Sequence, residues 1–513
     1  MSEIIHFLNA IFQYATPWYL GLMAGSMCLG IIFGSLPGLN ATLGVALLIG
    51  ITYPFGPTTA IIMMMGLYIG AIYAGSLSAI LVNIPGTGSA AATCLDGHAL
   101  AKKGKAIDAI VIARLASFVG SMLGVLMFVL FAPVLSSLAL QFTSAEYFWL
   151  CIFGIFVCGT LAAPDLPVKG WIAGMIGMML SFIGLEDLIA YERFTYGNMD
   201  LLTGLPWVPM MIGLFAVPQV INMIKESQRE AYIGQAKRSI KIFKTLKDNV
   251  LGIVKWAVTG VGIGALPGVG ENIAAWAAYG MAKQSSKHPE EFGKGAIAGV
   301  MAPEVANNAA IAGAVLVLLV LGIPGSPPTA VLMGALQIHN IRPGPMLAID
   351  FPNFLYDMGA WLFWASIMLL LIGVLSAKPM AMVLKVPPKI LAPLIGILCI
   401  CGSFTVANDQ FHIQVVVIAG IIGFFLEKIG YHPAPLVLGF VLGSLTDHSF
   451  RRALDLRDGN PLALLDRPIA FIFFMVTALI LLQQIPAIRR WRDQLLKKIK
   501  SRSLQNDKAS GKS

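Results

Sequence analysis

Two acidic side chains stand inside apolar sequence, where a charge has a large energetic cost. Glu271 follows a Gly-Val-Gly turn, and Glu304 opens the run Glu304-Val305-Ala306-Asn307-Asn308 in a segment rich in Ala, Val and Leu. A carboxylate in a membrane segment usually faces a cavity or handles an ion or a proton. Positions i, i+3 and i+4 of a helix share one face, so Glu304, Asn307 and Asn308 should point together. The pattern predicts an ion-coupling site at these three residues, with Glu271 as a further candidate.

Both acids also have simpler interpretations. Glu304 can serve as a hydrogen-bonding group between packed helices, and Glu271 can lie at the cytoplasmic surface. Arg114 has two interpretations as well: it grips a substrate carboxylate, or it extends to the membrane interface beside a lysine-rich loop. These alternatives remain open at the level of the sequence.

Four Pro-Gly pairs interrupt apolar stretches. They are Pro37-Gly38, Pro85-Gly86, Pro267-Gly268 and Pro324-Gly325. Proline removes a backbone donor and breaks a helix. In hydrocarbon, broken backbone persists only where protein or a polar cavity satisfies it. A half-helix that begins after such a break directs unpaired N–H groups at an anion, whereas unwound carbonyls suit a cation. A single break is equally compatible with a simple kink in a packed helix.

Breaks at matching positions in two halves of a chain indicate the substrate site of a transporter. We therefore predict a cavity where the four breaks converge, lined by polar and flexible residues beside them. The predicted substrate-binding residues are Asn40, Thr42, Asn83, Pro85, Gly86, Thr87, Gly88, Ser89, Gly268, Asn272, Pro324, Gly325 and Ser326.

The composition is typical of a polytopic membrane protein. Of 513 residues, 57% are hydrophobic and 12% charged, and the mean hydropathy is +0.79. Soluble proteins carry about 25% charged residues. A helix needs roughly 20 apolar residues to cross a bilayer. The sequence thus predicts an all-α integral membrane protein with about 12 transmembrane helices plus broken or re-entrant segments, in two inverted-topology repeats.

Positive charge is concentrated in two segments. Residues 225–249 carry seven Lys or Arg against three acids, and residues 488–513 carry nine against two. Both are typical of cytoplasmic anchors under the positive-inside rule. The chain offers no folded basic domain for nucleic acid. We therefore expect a lipid bilayer, and no nucleic acid, around this protein.

The two halves of the chain align in order and carry opposite loop charge. Loop 52–58 has no Lys or Arg, whereas its counterpart 283–294 has three lysines; loop 102–105 has three lysines, whereas its counterpart has only Arg342. Corresponding loops therefore lie on opposite sides of the membrane, as in an inverted repeat. The predicted organisation is a first transmembrane repeat over 1–224, a basic cytoplasmic linker over 225–249, a second repeat over 250–450, a final loop and helix over 451–487 and a basic cytoplasmic tail over 488–513. The side of the arginine-containing loop 451–467 stays open.

Sites for other chemistries are not convincing. His98 and Asp96 follow Ser89, but His98 adjoins a lysine-rich loop and nothing orients it toward the serine. Gly262-Ile263-Gly264 lacks the spacing of a dinucleotide site, and Gly511-Lys512-Ser513 ends the chain. The six cysteines suggest small buried hydrophobes rather than a disulfide framework. We expect no enzyme activity and no cofactor.

The motifs at the breaks resemble those of the large membrane subunit of the tripartite tricarboxylate transporters, the TctA family, over about residues 17–485. The motifs that carry the resemblance are Gly34-Ser35-Leu36-Pro37-Gly38-Leu39-Asn40-Ala41-Thr42, Asn83-Ile84-Pro85-Gly86-Thr87-Gly88-Ser89-Ala90-Ala91-Ala92-Thr93, Leu95-Asp96-Gly97-His98, Arg193-Phe194-Thr195-Tyr196-Gly197, Leu266-Pro267-Gly268-Val269-Gly270, Ala302-Pro303-Glu304-Val305-Ala306-Asn307-Asn308-Ala309 and Gly322-Ile323-Pro324-Gly325. The charged Glu271 after Gly270 departs from the polar residue expected there, which leaves the role of this position open.

The resemblance implies uptake of small carboxylates across the bacterial inner membrane by a multi-pass permease. It implies two partners, a periplasmic solute-binding protein and a small membrane subunit of about four helices. It also implies a coupling cation, Na⁺ or H⁺, whose identity the sequence does not decide. The alternative function is a passive channel for small organic anions, which also needs a polar path through the bilayer.

Overall fold

The structure, a computed structural model, describes residues 2–36, 38–186, 189–225, 242–383 and 388–484. Most of these residues are helical, and the strands among them are the antiparallel pair β1 (Gly184–Leu185) and β2 (Glu192–Arg193), in which Gly184 pairs with Arg193. The all-α expectation is confirmed. Most of the predicted basic linker, and the basic tail 488–513, lie outside the described residues.

The first half contains ten helices among its described residues. They are α1 (Ser2–Gln13), α2 (Pro17–Ser35), α3 (Ala41–Thr52), α4 (Pro57–Val82), α5 (Ala91–Lys102), α6 (Ala106–Ala139), α7 (Ser144–Ala162), α8 (Pro167–Ser181), α9 (Trp207–Met211) and α10 (Val217–Lys225). A π-helical segment (Ile212–Ala216) joins α9 to α10, and 3₁₀ turns occur at Gly88–Ala90 and Met199–Leu201.

The second half follows the short helix α11 (Ile242–Asp248). Its helices are α12 (Val250–Gly264), α13 (Gly270–Ser285), α14 (Ile297–Leu321), α15 (Pro327–Ile338), α16 (Leu347–Asp350), α17 (Phe354–Val383), α18 (Pro388–Ala407), α19 (Gln410–Lys428), α20 (Pro433–Asp455) and α21 (Pro468–Gln483). Two 3₁₀ turns lie at Pro289–Glu291 and Pro461–Leu464.

Length and composition allow several of these helices to cross a membrane. Within the described ranges, eight helices are at least 18 residues long and sufficiently apolar, and four shorter apolar helices accompany them. In the most apolar 18-residue stretch of each helix, every residue of α14 and 94% of the residues of α4 are buried inside the protein. These two helices therefore form the centre of the molecule and depend on protein rather than lipid for their packing.

Close backbone contacts repeat in the two halves. Gly34 of α2 lies against the carbonyl of Ala71 in α4, and Gly264 of α12 lies against the carbonyl of Ala310 in α14. Small residues let helix backbones approach in this way. Because both members of each pair occupy matching positions in the aligned halves, the contacts show that the repeat extends from sequence to packing.

The second break of each half is held against the helix that precedes the first break, which is α2 in the first half and α12 in the second. Gly86 lies directly on the carbonyl oxygen of Gly34, and Gly325 lies on that of Gly264, so a Cβ at either position would overlap the oxygen. The Gly268 N–H also donates to the carbonyl of Pro324 across 3.0 Å. The chain therefore folds back after α4 and after α14. The two breaks share this geometry, which brings both of them into the interior.

Two lysine-containing loops meet on one side of the molecule, which we call the lysine face. Lys103 Nζ donates to the carbonyl of Lys294 across 2.6 Å. Buried Asp96 accepts hydrogen bonds from the backbone N–H groups of Gly293 and Gly295, at 2.9 and 2.7 Å. The loops after α5 and before α14 therefore share one face, as the loop charges predict.

Equivalent helices run in opposite directions. α5 ends at the lysine face, and α4 runs parallel to α5, since Gly75 lies beside Thr87 and Ile80 beside Gly97. α14, the counterpart of α4, begins at the lysine face. α4 thus runs toward this face and α14 away from it, which is the relation expected of an inverted repeat.

The far side, which we call the opposite face, is reached by α6, whose 34 residues span about 50 Å. There α7 begins, with Glu146 paired to Arg467 at 3.0 Å and the Trp149 indole N–H donating to the carbonyl of Leu464. The loop 451–467 therefore lies on the opposite face. The hairpin β1–β2 is fixed to the same face by the ion pair between Arg193 and Asp447, at 2.9 Å.

The last helix of each repeat packs against the other repeat, and we call this the exchange of helices between the halves. α20 of the second half packs on α7 and α8 of the first, with Gly439 against the carbonyl of Gly174. In the matching arrangement, α9, the π-helical segment and α10 pack on α18 and α19, with Gly213 close to the carbonyl of Val416. Elements from both halves therefore surround the space beside α4 and α14.

Candidate functional site

A cavity of about 380 Å³ lies where the four breaks converge. Every break contributes to its wall: Asn40 and Thr42, Thr87 and Gly88, Glu271 and Asn272, and Pro327 and Pro328. The cavity extends toward the lysine face, because the ends of α7 and α19 and the start of α20 complete it. The remaining lining residues are Ala41, Ile72, Ala162, Ala163, Leu214, Phe215, Pro218, Gln219, Glu427, Gly430, Tyr431, His432 and Pro433.

Four α-helices begin at the wall of this central cavity: α3, α13, α15 and α20. Asn40 is the N-cap of α3, and its side-chain oxygen accepts from the Leu43 N–H at 2.8 Å. Ser326 is the N-cap of α15, and its N–H donates to the Thr329 hydroxyl oxygen at 2.9 Å. The converging positive ends of helix dipoles favour an anion in the space between them.

Glu271 places a carboxylate at the same cavity, and it is bound from the other half of the protein. Tyr68 of α4 donates a hydrogen bond to Glu271, and the Tyr68 hydroxyl lies 2.8 Å from Ser326 Oγ. All three side chains are buried. None of the described residues that line the cavity is Lys or Arg, so a proton or a metal cation could balance the Glu271 charge.

Gly88 and Asn272 bring the two halves into contact at the cavity. A Cβ at Gly88 would lie 2.8 Å from Nδ2 of Asn272. The absence of a side chain at Gly88 therefore lets the amide of Asn272 approach the backbone of the first half. The Thr87 hydroxyl lies 3.0 Å from that of Ser89, which leaves Ser89 buried behind the wall.

Several predicted substrate-binding residues shape the breaks without lining the cavity. Asn83 is exposed and ends α4 in the left-handed conformation, with φ of 58°, as its counterpart Gly322 ends α14 with φ of 71°. Asparagine and glycine are the residues that tolerate this conformation. The others that lie outside the cavity wall are Pro85, Gly86, Ser89, Gly268, Pro324, Gly325 and Ser326.

Glu304 lies in a separate polar cluster between α5, α6 and α14. Its carboxylate accepts from Thr93 at 2.6 Å, from Ser117 at 3.1 Å and from the Asn307 amide at 3.4 Å. Asn308 donates to Asn307 Oδ1 at 2.8 Å. Glu304, Asn307 and Asn308 are fully buried and share a face, but they do not line the central cavity.

The sequence did not indicate the part of the wall that the exchanged helices supply. Gln219 follows the π-helical segment, and His432 caps α20 by accepting from the Ala434 N–H at 3.3 Å. π-helical segments are frequent at functional sites. A usable signal existed, since His432-Pro433-Ala434-Pro435 aligns with Pro206-Trp207-Val208-Pro209.

The described ranges contain no group of three or more His, Cys, Asp or Glu side chains placed to hold a metal. A coupling cation held by these residues would therefore combine no more than two such side chains with hydroxyl, amide or backbone oxygens. Among the described residues, Glu271 with Tyr68 and Ser326, and Glu304 with Thr93 and Ser117, are two carboxylate–hydroxyl groupings of this kind.

Comparison with known proteins identifies the family. The model of the tripartite tricarboxylate transporter TctA family matches residues 20–438. An Agrobacterium vitis protein described as an uncharacterized 52.8 kDa protein in the TAR-I ttuC′ 3′ region is 36% identical over 502 residues, which cover 96% of this chain and 99% of the relative.

A second Agrobacterium vitis protein, described as an uncharacterized protein in the TAR-II ttuC′ 3′ region, is 36% identical over 234 residues. That alignment covers 45% of this chain and 97% of the relative. No solved structure matches the chain. The family match over most of the sequence, together with the paired breaks and the helical architecture, shows that the chain is a multi-pass membrane protein that belongs to the tripartite tricarboxylate transporter TctA family.

Proposed function

We propose that this protein is the large permease subunit of a binding-protein-dependent secondary transporter that imports small carboxylates with a cation gradient. The observation that supports this best is the single cavity to which all four Pro-Gly breaks contribute. In transporters built from inverted repeats, the substrate site lies at such a junction of broken helices.

The wall of the cavity suits an anion and a cation together. The starts of α3, α13, α15 and α20 would stabilise substrate carboxylates, while Glu271 with the hydroxyls of Tyr68 and Ser326 would receive Na⁺ or H⁺. A bound cation would remove the repulsion that a substrate carboxylate meets at Glu271, and a bound carboxylate would in turn add to the attraction that the cation meets there. This mutual dependence is the physical basis of the proposed coupling.

We assign the lysine face to the cytoplasm under the positive-inside rule and the opposite face to the periplasm of the bacterial inner membrane. The cavity then extends to the cytoplasmic side in this structure, past Ala163 and Gly430. The proposed partners are a periplasmic solute-binding protein, which would deliver the carboxylate to the opposite face, and a small membrane subunit of about four helices.

Uptake into proteoliposomes that contain the complete complex tests this proposal. We expect radiolabelled citrate, or a smaller carboxylate from a mono-, di- and tricarboxylate panel, to accumulate only with the binding protein and with an inward Na⁺ or H⁺ gradient. Uptake should saturate, and it should stop when the gradient is dissipated. Non-saturating flux that persists without a gradient would instead support the passive anion channel.

A further inference from the structure

A second cavity opens at the opposite face, and we call it the outer vestibule. Its volume is about 720 Å³, and it lies between the start of α7, the end of α15, the loop 339–346 and the end of α20. The polar side chains on its wall include Tyr147, Gln337, Asn340, Arg342 and His448. It is separate from the central cavity, with which it shares no lining residue.

The charges of the two cavities differ in sign. Among the described residues, the central cavity is lined by two acids and by no Lys or Arg, whereas the outer vestibule is lined by Arg342 and by no acid. Arg342 is exposed and forms no ion pair within the part of the chain that the structure describes. The nearest acid along α20, Asp447, is already paired with Arg193 at 2.9 Å and Arg451 at 3.0 Å. The vestibule therefore presents an uncompensated positive charge.

Hydrogen-bond donors accompany this charge. The hydroxyl of Tyr147 is buried and has no hydrogen-bond partner among the described atoms. A buried, unpaired hydroxyl carries a desolvation cost that a bound acceptor would remove. The amides of Gln337 and Asn340 and the imidazole of His448 lie on the same wall. A guanidinium with neutral donors around it matches the acceptor atoms of a carboxylate.

Only a short stretch of chain separates the two cavities. Gly322 lines the outer vestibule, Pro327 lines the central cavity, and residues 323–326 lie between them. The loop before α16 rests on the end of α14, just before this stretch: the Gly344 N–H donates to the carbonyl of Leu319 at 2.9 Å, and a Cβ at Gly322 would lie 2.9 Å from the carbonyl of Pro343. The fourth break therefore connects the wall of the vestibule to the wall of the central cavity.

We propose that the outer vestibule is a second anion-binding site, which holds a small carboxylate on the far side of the fourth break. Arg342 supplies the charged anchor and Tyr147 a hydrogen-bond donor. The ligand class and the direction of approach rest on the proposed import of carboxylates. The site itself rests on the charge and the unpaired hydroxyl of this cavity.

Charge-selective thiol labelling tests the site without transport. The full-length chain carries Leu445→Cys at the vestibule wall, with Cys28, Cys94 and Cys401 replaced by alanine, in right-side-out membrane vesicles. Sulfonatoethyl and trimethylammonioethyl methanethiosulfonates compare an anionic with a cationic reagent. We expect Arg342→Gln to slow the anionic reagent about fivefold, as the loss of one unit charge at about 4 Å in water would, and to speed the cationic reagent by a similar factor, so that the anionic-to-cationic rate ratio falls. Citrate, succinate or acetate should slow labelling when Arg342 is present.

Matched variants make the result specific. Arg457→Gln removes an exposed arginine of the same face that pairs with Asp466, and it should keep both the rate ratio and the protection. Tyr147→Phe should keep the ratio and weaken the protection. An unchanged ratio in Arg342→Gln, or no protection by any of the three carboxylates, would overturn the proposal. Since labelling needs neither gradient nor uptake, protection without transport would count against the proposed function alone.

Discussion

Tyr68, on the central helix of the first repeat, donates a hydrogen bond to Glu271, on the second helix of the other repeat. The bond crosses the junction of the repeats at the wall of the central cavity. Any movement of one repeat against the other must break or lengthen it. The protonation or cation occupancy of Glu271 is therefore well placed to bias such a movement.

Glu271→Gln removes this charge while it keeps the shape and an acceptor for Tyr68. We expect gradient-driven uptake to fall at least tenfold, because the cation loses its anionic ligand, while substrate exchange without a gradient continues. Tyr68→Phe should weaken the apparent cation affinity by about tenfold or less, the value of about one hydrogen bond. Counterflow and gradient-driven uptake measure the two effects separately. Glu290→Gln, in an exposed loop of the lysine face, is the control. Unchanged cation dependence in Glu271→Gln would remove Glu271 from the coupling site.

Variants of Glu304 test the role of the buried carboxylate in the polar cluster between α5, α6 and α14. Glu304→Ala leaves the donors of Thr93, Ser117 and Asn307 unsatisfied, at about 1–3 kcal/mol each, so we expect a large loss of thermal stability in detergent. Ser117→Ala removes one donor and should cost only about 1 kcal/mol. Glu304→Gln should fold but lose gradient-driven uptake, if the charge takes part in coupling as the sequence suggested. Full uptake with unchanged ion dependence would make Glu304 a structural residue.

The breaks give a symmetric prediction. Gly86→Ala and Gly325→Ala would each drive a methyl group into a backbone carbonyl, and we expect each to destabilise the protein by about 1–3 kcal/mol or more. Gly25→Ala places the same methyl group on α2 where no atom lies within 4 Å, so it should be neutral or slightly stabilising. Thermal unfolding of the three purified variants makes the comparison. A stable Gly86→Ala together with an unstable Gly325→Ala would contradict the equivalence of the two breaks.

Cysteine accessibility tests the assignment of the faces. Phe55 and His288 are exposed and lie in loops that correspond to each other in the two repeats. A membrane-impermeant thiol reagent added to intact cells should label Phe55→Cys and leave His288→Cys unlabelled. Permeabilised cells should show both labelled, which controls for reactivity. Labelling of both in intact cells would contradict the inverted arrangement.

Local sequence features predicted the helices and their interruptions well. A proline next to a glycine in an apolar stretch interrupts a helix by its own covalent structure, so the breaks at Pro85 and Pro324 needed no tertiary information. The glycine contacts at Gly34 and Gly264 occupy matching positions in the aligned halves, but the sequence analysis did not predict them. The inverted order followed from loop lysines alone, because charge distribution in loops reflects the side of the membrane.

Local sequence features could not predict which residues at a break face the cavity. Asn83 has the polarity of a binding residue, yet its backbone conformation makes it a helix cap. Helical spacing correctly placed Glu304 and Asn308 on one face, but it cannot say which helix covers that face. Here α5 and α6 cover it with hydroxyls instead of leaving it open to the cavity. The contributions of Gln219 and His432 depend on the exchange of helices between halves, which has no local signature.

The packing of α20 on α7 and α8 also determines when the first half of the protein can finish folding during synthesis. α8 ends at Ser181 and its partner α20 begins at Pro433, some 250 residues later. At about 5–20 residues per second, this interval lasts roughly ten to fifty seconds. The glycine-lined surfaces of α7 and α8 must meanwhile remain in lipid or against another membrane protein. The first half of the chain is therefore inserted well before it is folded, and its maturation waits for the ribosome to deliver the second.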